Sequence, residues 1–205
     1  MAARVTLNPV ESKLRRAILW SGITVLISGV VLTAAWHLHK SRTTQLFGEL
    51  VTRVATTDSV VALTFDDGPA HPYTDSVLSV LRAEQVPATF FVVGEAVERH
   101  PELTRRILEA GHELGNHSYA HRRLVLRSQS VIRTEVEATD SLLRAAGMRG
   151  RIYFRPPYGK RLVVLPWYLS RTGRTTVLWS LEPDTWYEHT AEMVEHVLQD
   201  AKPGS

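Results

Sequence analysis

The sequence predicts an α/β fold, either an α/β barrel or a doubly wound sheet, behind one apolar N-terminal span. Three observations predict it. From Val60 onward, short apolar runs alternate with helix-length amphipathic segments, the pattern of a parallel sheet covered by helices. Polar clusters follow those runs directly, where such folds place their chemistry. Near the N-terminus, Ile18 to Trp36 carries no charged residue.

As a helix, that first segment would rise about 28 Å at roughly 1.5 Å per residue, close to a hydrocarbon thickness of about 30 Å. Trp20 and Trp36 fall near its ends, where indoles favour the headgroup level. Arg4, Lys13, Arg15 and Arg16 precede it and Lys40 and Arg42 follow, a bias that puts the N-terminus in the cytoplasm. The expected organisation is a basic cytoplasmic segment over 1–17, a membrane signal-anchor over 18–36, a polar linker over 37–44 and an extracytoplasmic domain over 45–205. A cleaved signal peptide, with Thr33 and Ala35 as the small residues before the cut, is the competing reading. Its apolar core usually runs about 7–15 residues, shorter than this one.

VVALTF (Val60–Phe65) is apolar and β-branched and stops at Asp66-Asp67-Gly68-Pro69, so it reads as a buried strand. Thr74 to Ala83 carries Val77, Leu78 and Leu81 at helical spacing. Ala88 to Val93 is again strand-like. Pro101 opens a helix striped by Leu103, Ile107, Leu108 and Ala110 and stopped by Gly111. Ser130 to Ala146 repeats the scheme, with Val131, Ile132, Val136, Leu142 and Leu143 facing inward and Gly147 ending it. Ile152 to Phe154 is a short strand, a helix through Trp167 and Leu169 ends near Gly173, and Thr175 to Leu181 is a strand. Thr190 can cap a last helix containing Met193, Val194, Val197 and Leu198.

Composition narrows the function classes. Of 205 residues 44 % are hydrophobic and 22 % charged, which is globular. A net charge of +3 is too small to suggest a nucleic-acid-binding face. The absence of cysteine excludes a disulfide scaffold, cysteine-ligated zinc or iron–sulfur sites, and a thiol nucleophile.

Four clusters remain to carry chemistry. Asp66 and Asp67 at a strand exit can divide their roles, one binding a metal and one facing a reacting water; a turn capped by its own aspartates is the alternative. His117 and His121 are four apart, a spacing that on a helical turn lets both face one ion. An Asp, His, His set leaves coordination positions open for water and substrate. Phe154-Arg155-Pro156-Pro157-Tyr158-Gly159 is a stiff turn bearing a permanent cation. Trp179 to Trp186 places indoles and acids after a strand, where they can line a sugar groove or join the core.

Together these clusters resemble the NodB-type polysaccharide deacetylases, carbohydrate esterase family 4. Thr64-Phe-Asp-Asp-Gly-Pro69 is similar to the family's first motif, His117-Ser-Tyr-Ala-His121 to its second and Arg155-Pro-Pro-Tyr-Gly159 to its third; the likeness extends from about Val60 to Ser205. The resemblance implies an incomplete, distorted (β/α) barrel and an N-deacetylase acting on an amino-sugar polysaccharide, peptidoglycan or a chitin-like glycan. It implies one divalent ion, most often zinc, on Asp67, His117 and His121. Asp66 would be the general base, Arg155 its orienting partner, and the Tyr158 backbone N–H an oxyanion donor. Trp186, Asp184 and Pro157 would contact substrate.

Two departures stand against that pattern. Glu182 and Thr185 occupy places where the fourth motif resembles Asp-x-x-Asp-Trp, with Asp184 shifted by one. The fifth motif, a strand ending Leu-x-x-His that supplies the general acid, has no counterpart before Lys202-Pro203-Gly204-Ser205. The expectation is a truncated chain with an apolar barrel edge exposed and weakened turnover, so a glycan-binding relative without catalysis is the alternative function. A metal amidase for a small non-sugar amide is a third.

Overall fold

A computed structural model describes residues 9–205. Arg4, in the expected basic N-terminal segment, lies outside the described residues. The chain divides into two units, the first ending at Lys40 and the second spanning Ser41–Ser205.

The first unit is one helix, α1 (Pro9–Lys40). Its stretch Lys13–Lys40 is long and apolar enough to cross a membrane, and no part of that window is buried. Thr24 and Thr33 donate their hydroxyl protons to the carbonyls of Trp20 and Gly29 one turn back, so neither adds an unsatisfied polar group. The helix continues through His37–Lys40, where the sequence suggests a linker. No glycine or proline interrupts it there, and the Lys40 ammonium sits 4.1 Å from the Trp36 ring centre, a favourable cation–π contact.

In the second unit the strands are β1 (Leu50–Val51), β2 (Thr64–Asp66), β3 (Thr89–Val92), β4 (Glu113–Asn116) and β5 (Thr176–Val177). All recorded pairings are parallel. They run β2–β3–β4, then through single bridges at Phe154 to β5, then β1. The helices are α2 (Tyr73–Glu84), α3 (Gly94–Arg99), α4 (Pro101–Glu109), α5 (Gln129–Ala145), α6 (Val164–Arg171) and α7 (Thr190–Asp200).

Two apolar clusters join helices to sheet. One packs Leu78 and Leu81 of α2, Ile107 of α4 and Leu143 of α5 on Phe90, Val92 and Leu114. The other packs Ile132 and Val136 of α5 with Leu165 and Leu169 of α6 around Phe154. Each fully buried side chain of this size contributes about 1.5–3 kcal/mol, which fixes the helices against the sheet and leaves the strand ends as the place for a site. Alternation along β3 sends Phe90 into the helix layer and Phe91 to the opposite face.

Four expectations need correction. Of the Val60–Phe65 run only Thr64 and Phe65 are strand, and the strand extends to Asp66; Val60 and Val61 are exposed because they border the gap between β2 and β1 instead of lying under a helix. Val131 is exposed, since the inward face of α5 runs through Ile132, Glu135, Val136, Thr139 and Leu143. Thr190 is the first helical residue of α7 and does not cap it; His189 takes the cap position without a side-chain bond. Val194 and Leu198 are exposed; the main contact of α7 with another element is the short turn at Pro183–Thr185.

The edges β1 and β2 are not paired with each other. The backbone of Gly204 and Ser205 lies between their extensions, with Val54 N–H donating to Gly204 O, Gly204 N–H to Val60 O and Ala62 N–H to Ser205 O, each at 2.8 Å. Only glycine fits at 204: its φ is +82° and a Cβ would meet the Val54 carbonyl oxygen at 1.9 Å. Val54 and Val61 remain exposed along this side.

Candidate active site

The chemistry collects where β2, β4 and Phe154 end. Asp66 is the last residue of β2. Asp67 follows at φ 68°, a left-handed conformation that turns its carboxylate away from its neighbour's course. Val93 N–H donates to Gly68 O and anchors this turn to β3.

Asp66 Oδ1 accepts from the Arg155 guanidinium at 2.7 Å. Arg155 is buried and also donates to Thr64 Oγ1 at 2.9 Å and to the Leu178 carbonyl at 3.2 Å. Burial pushes its guanidinium pKa down, and Asp66 offsets that cost. Its charge lies 4.0 Å from the Phe91 ring centre. That ring can lie there only because its cross-strand partner is Gly115, where a Cβ would come within 2.4 Å of it. One glycine in β4 therefore sets the floor on which the Arg155–Asp66 pair rests.

His117 and His121 do not share a helical turn, contrary to the geometry the spacing suggests. They lie on an irregular loop after β4, with Ser118 and His121 both at positive φ. His117 Nδ1 is 2.7 Å from the Arg155 carbonyl; donation there leaves Nε2 as the free lone pair. Nε2 of His117 and of His121 lie 3.4 and 3.1 Å from Asp67 Oδ1. All three ligand atoms fall within 4.8 Å of one another. Edges of this size match a tetrahedron around an ion with bonds of about 2.0–2.2 Å, so the donors fit a divalent ion. The carboxyl of Asp67 is held below its ordinary range by the His117 hydrogen bond and the nearby imidazoles, and burial pushes His121 down. An ionised carboxylate and a neutral imidazole are the ligand forms a metal requires.

Buried polar groups hold this loop. Asn116 donates to Val136 O at 2.8 Å and Asp140 Oδ1 at 2.6 Å, and its own Oδ1 accepts from Ser118 N–H. Glu135, on the inward face of α5, accepts from the N–H groups of Tyr119 and Ala120 at 3.0 and 2.9 Å. Sequence reading passed over Glu135; the signal was a carboxylate set inside an apolar stripe. On the other side Tyr158, at φ 60°, lays its ring 4.8 Å from that of His121. Arg161, lowered to about 10 by burial, ties the Pro157–Gly159 turn to Thr44 and Gln45. Four of the non-glycine residues at positive φ, namely Asp67, Ser118, His121 and Tyr158, thus surround one site; such strain gathers where function over-determines the backbone.

A cavity of about 590 Å³ opens beside Asp66, Asp67 and Arg155 and is lined further by Trp179 and Asp184. The structure therefore brings together Asp66, Asp67, His117, His121, Arg155 and Tyr158, with Pro157 buried in the adjoining turn and Asp184 on the cavity wall. Trp186 is not there. It is exposed and lines a separate cavity with Arg42, Glu182 and His196, and Glu182 pairs with Arg42. Trp179 is the indole that borders the carboxylates.

The likeness to known proteins agrees with this arrangement. Residues 53–177 match the polysaccharide deacetylase family model, and the chain belongs to that family. It is 36 % identical over 147 residues to a peptidoglycan-N-acetylglucosamine deacetylase of Bacillus cereus, covering 71 % of this chain and 53 % of the relative. The chain thus spans about half of that relative's length. A crystal structure of a peptidoglycan N-acetylglucosamine deacetylase superposes with a TM-score of 0.73 at 30 % identity, over 76 % of this chain and 73 % of the other. A carbohydrate esterase family 4 pseudoenzyme from Bacillus anthracis superposes at 0.71 and 25 % identity, over 78 % and 57 %.

Proposed function

We propose that this chain is a metal-dependent N-deacetylase acting on an N-acetylated amino-sugar polymer, peptidoglycan or a chitin-like glycan. In this reading zinc is the preferred ion, held by Asp67, His117 and His121. α1 anchors the protein as a single membrane span through 18–36, with the domain over 45–205 on the extracytoplasmic side. The observation that carries it is the convergence of those three ligand atoms within 4.8 Å beside the separate Asp66–Arg155 pair.

A divalent ion held there lowers the pKa of water and polarises the amide carbonyl. The protein's own groups do the rest. Asp66, ionised and oriented by Arg155, takes the proton of the attacking water. The His117 bond to the Arg155 carbonyl couples the orientation of one ligand to the position of that same arginine. The Tyr158 N–H donates to the oxygen that gains charge as the carbonyl is attacked. Pro157 stiffens that turn, and Asp184 and Trp179 on the cavity wall take up neighbouring sugar units.

The test is acetate release from N-acetylglucosamine oligomers and from peptidoglycan. Release that needs added metal and disappears in Asp66→Asn supports the assignment; release undiminished in Asp66→Asn refutes it. A second reading, a glycan-binding protein without turnover, is favoured by a cavity whose lining contains no histidine to act as general acid. His196 is engaged elsewhere, with Asp200 at 2.9 Å and the Tyr187 ring. Glycan binding that survives metal removal, with no acetate formed, selects this second reading.

A further inference from the structure

We propose that His71, His100 and Glu102 form a second divalent-cation site, distinct from the Asp67, His117 and His121 set. His71 lies between β2 and α2, His100 at the junction of α3 and α4, and Glu102 in the first turn of α4. Glu102 Oε1 lies 3.5 Å from His71 Nε2 and 3.7 Å from His100 Nδ1, and all three ligand atoms fall within 4.8 Å of one another. Edges of about 3.3–3.6 Å are expected of a tetrahedron around an ion with bonds of roughly 2.0–2.2 Å, and the two separations lie within about 0.1 Å of that range. The two imidazoles meet edge to face at 89°, their centres 5.3 Å apart, so the rings do not stack.

An exposed knot of histidines and acids without an ion would show the same proximity, so orientation decides. His71 Nδ1 is hydrogen-bonded to Asp75 Oδ2 at 2.5 Å, and Asp75 Oδ1 accepts from Arg106 at 2.6 Å. A carboxylate bonded to one ring nitrogen fixes the tautomer and presents the other nitrogen as a ligand, the arrangement seen behind metal-bound histidines. Here the presented atom is Nε2, the one facing Glu102. Two imidazoles and one carboxylate suit a borderline ion such as Zn²⁺ over Mg²⁺ or Ca²⁺. Glu102 and His71 are half exposed, which leaves a coordination position for water.

The consequence is a brace on the catalytic turn. The turn after Asp67 is already tied to α2, where Thr74 N–H donates to Ala70 O at 2.8 Å and Ala70 N–H to Thr74 Oγ1 at 2.9 Å. An ion on His71, His100 and Glu102 fastens this segment to the start of α4 as well. The assignment does not depend on the deacetylase reading, since its readout is metal content.

The experiment is equilibrium dialysis of the detergent-solubilised full chain against Zn²⁺, with bound metal quantified. The wild type binds one equivalent more than His71→Ala/His100→Ala. Asp67→Ala/His121→Ala also loses one equivalent, and the four-fold variant loses two. Glu102→Gln, which preserves size and hydrogen-bonding shape, binds the affected equivalent at least tenfold more weakly. Circular dichroism melts of the variants without metal establish that each is folded. Unchanged stoichiometry in His71→Ala/His100→Ala, or wild-type affinity in Glu102→Gln, overturns the proposal.

Discussion

Replacing Glu135 by Gln tests how the metal-ligand loop is held. The carboxylate is 5 % exposed and accepts two backbone N–H bonds, from Tyr119 and Ala120, on one oxygen. Hydrogen bonds to a charged acceptor contribute about 1.5–3 kcal/mol each and neutral ones about 0.5–1.5. Exchanging two of the first kind for two of the second costs about 2–3 kcal/mol, and the new amide N–H₂ faces Arg122 where the carboxylate attracted it, Nε lying 3.6 Å away. With a urea dependence of about 2 kcal/mol per molar, the unfolding midpoint falls by about 1–1.5 M. Because Ala120 adjoins His121, zinc affinity at Asp67, His117 and His121 falls about 10–100-fold, as for other groups that orient ligands. Tryptophan fluorescence in urea and competition with a zinc chelator read the two effects. A midpoint within 0.2 M of wild type (a difference of about 0.4 kcal/mol), or destabilisation with unchanged zinc affinity, refutes the idea that Glu135 positions the ligands.

Arg155→Lys retains the charge but not the fork that spans Asp66, Thr64 and the Leu178 carbonyl, so kcat for acetate release falls about 10²–10³-fold with KM little changed. Arg155→Met leaves Asp66 without its cation and lowers stability by about 3 kcal/mol, the lower part of the range for broken buried pairs because Asp66 keeps some solvent. His112 is pushed down from 6.5 by burial against Phe90, so the unfolded chain takes up its proton first as pH falls. Stability is therefore full above pH 6.5 and declines as pH drops below it towards the folded-state pKa. His112→Phe flattens that slope relative to wild type in pH-dependent melts; identical slopes would exclude His112 as its source.

Much of this was legible in the residues. Asp66 and Asp67 after a β-branched run, two histidines four apart after β4, and an arginine before a proline pair mark three strand exits, and parallel strands bring their exits to one end. The short strands were harder. β1 is two residues long and carries no alternation, and Val60 to Leu63 read as core because apolar content does not reveal that a segment borders a gap. Helical spacing misled at His117 and His121, whose convergence comes from positive φ at Ser118 and His121, a property no spacing encodes. Trp179 and Trp186 are equivalent by type; only the turn at Pro183–Thr185 sends the second away from the carboxylates.

The join between Val54, Val60 and Gly204 has a bearing on the order of assembly. β2, β3 and β4 find one another across short stretches of chain, whereas Arg53 and Pro203, beside the join, are bonded across 150 residues. Ring closure over such a length comes last, and the few bonds that achieve it are the first to open by thermal fluctuation. Among the amides bonded between strands, exchange should accordingly be fastest at Val54 and Ala62, the latter four positions before Asp66. Asp66 thus stands at the end of a strand whose upstream side is joined by a few long-range bonds, whereas the loop of His117 and His121 is held by the buried Glu135 and Asn116.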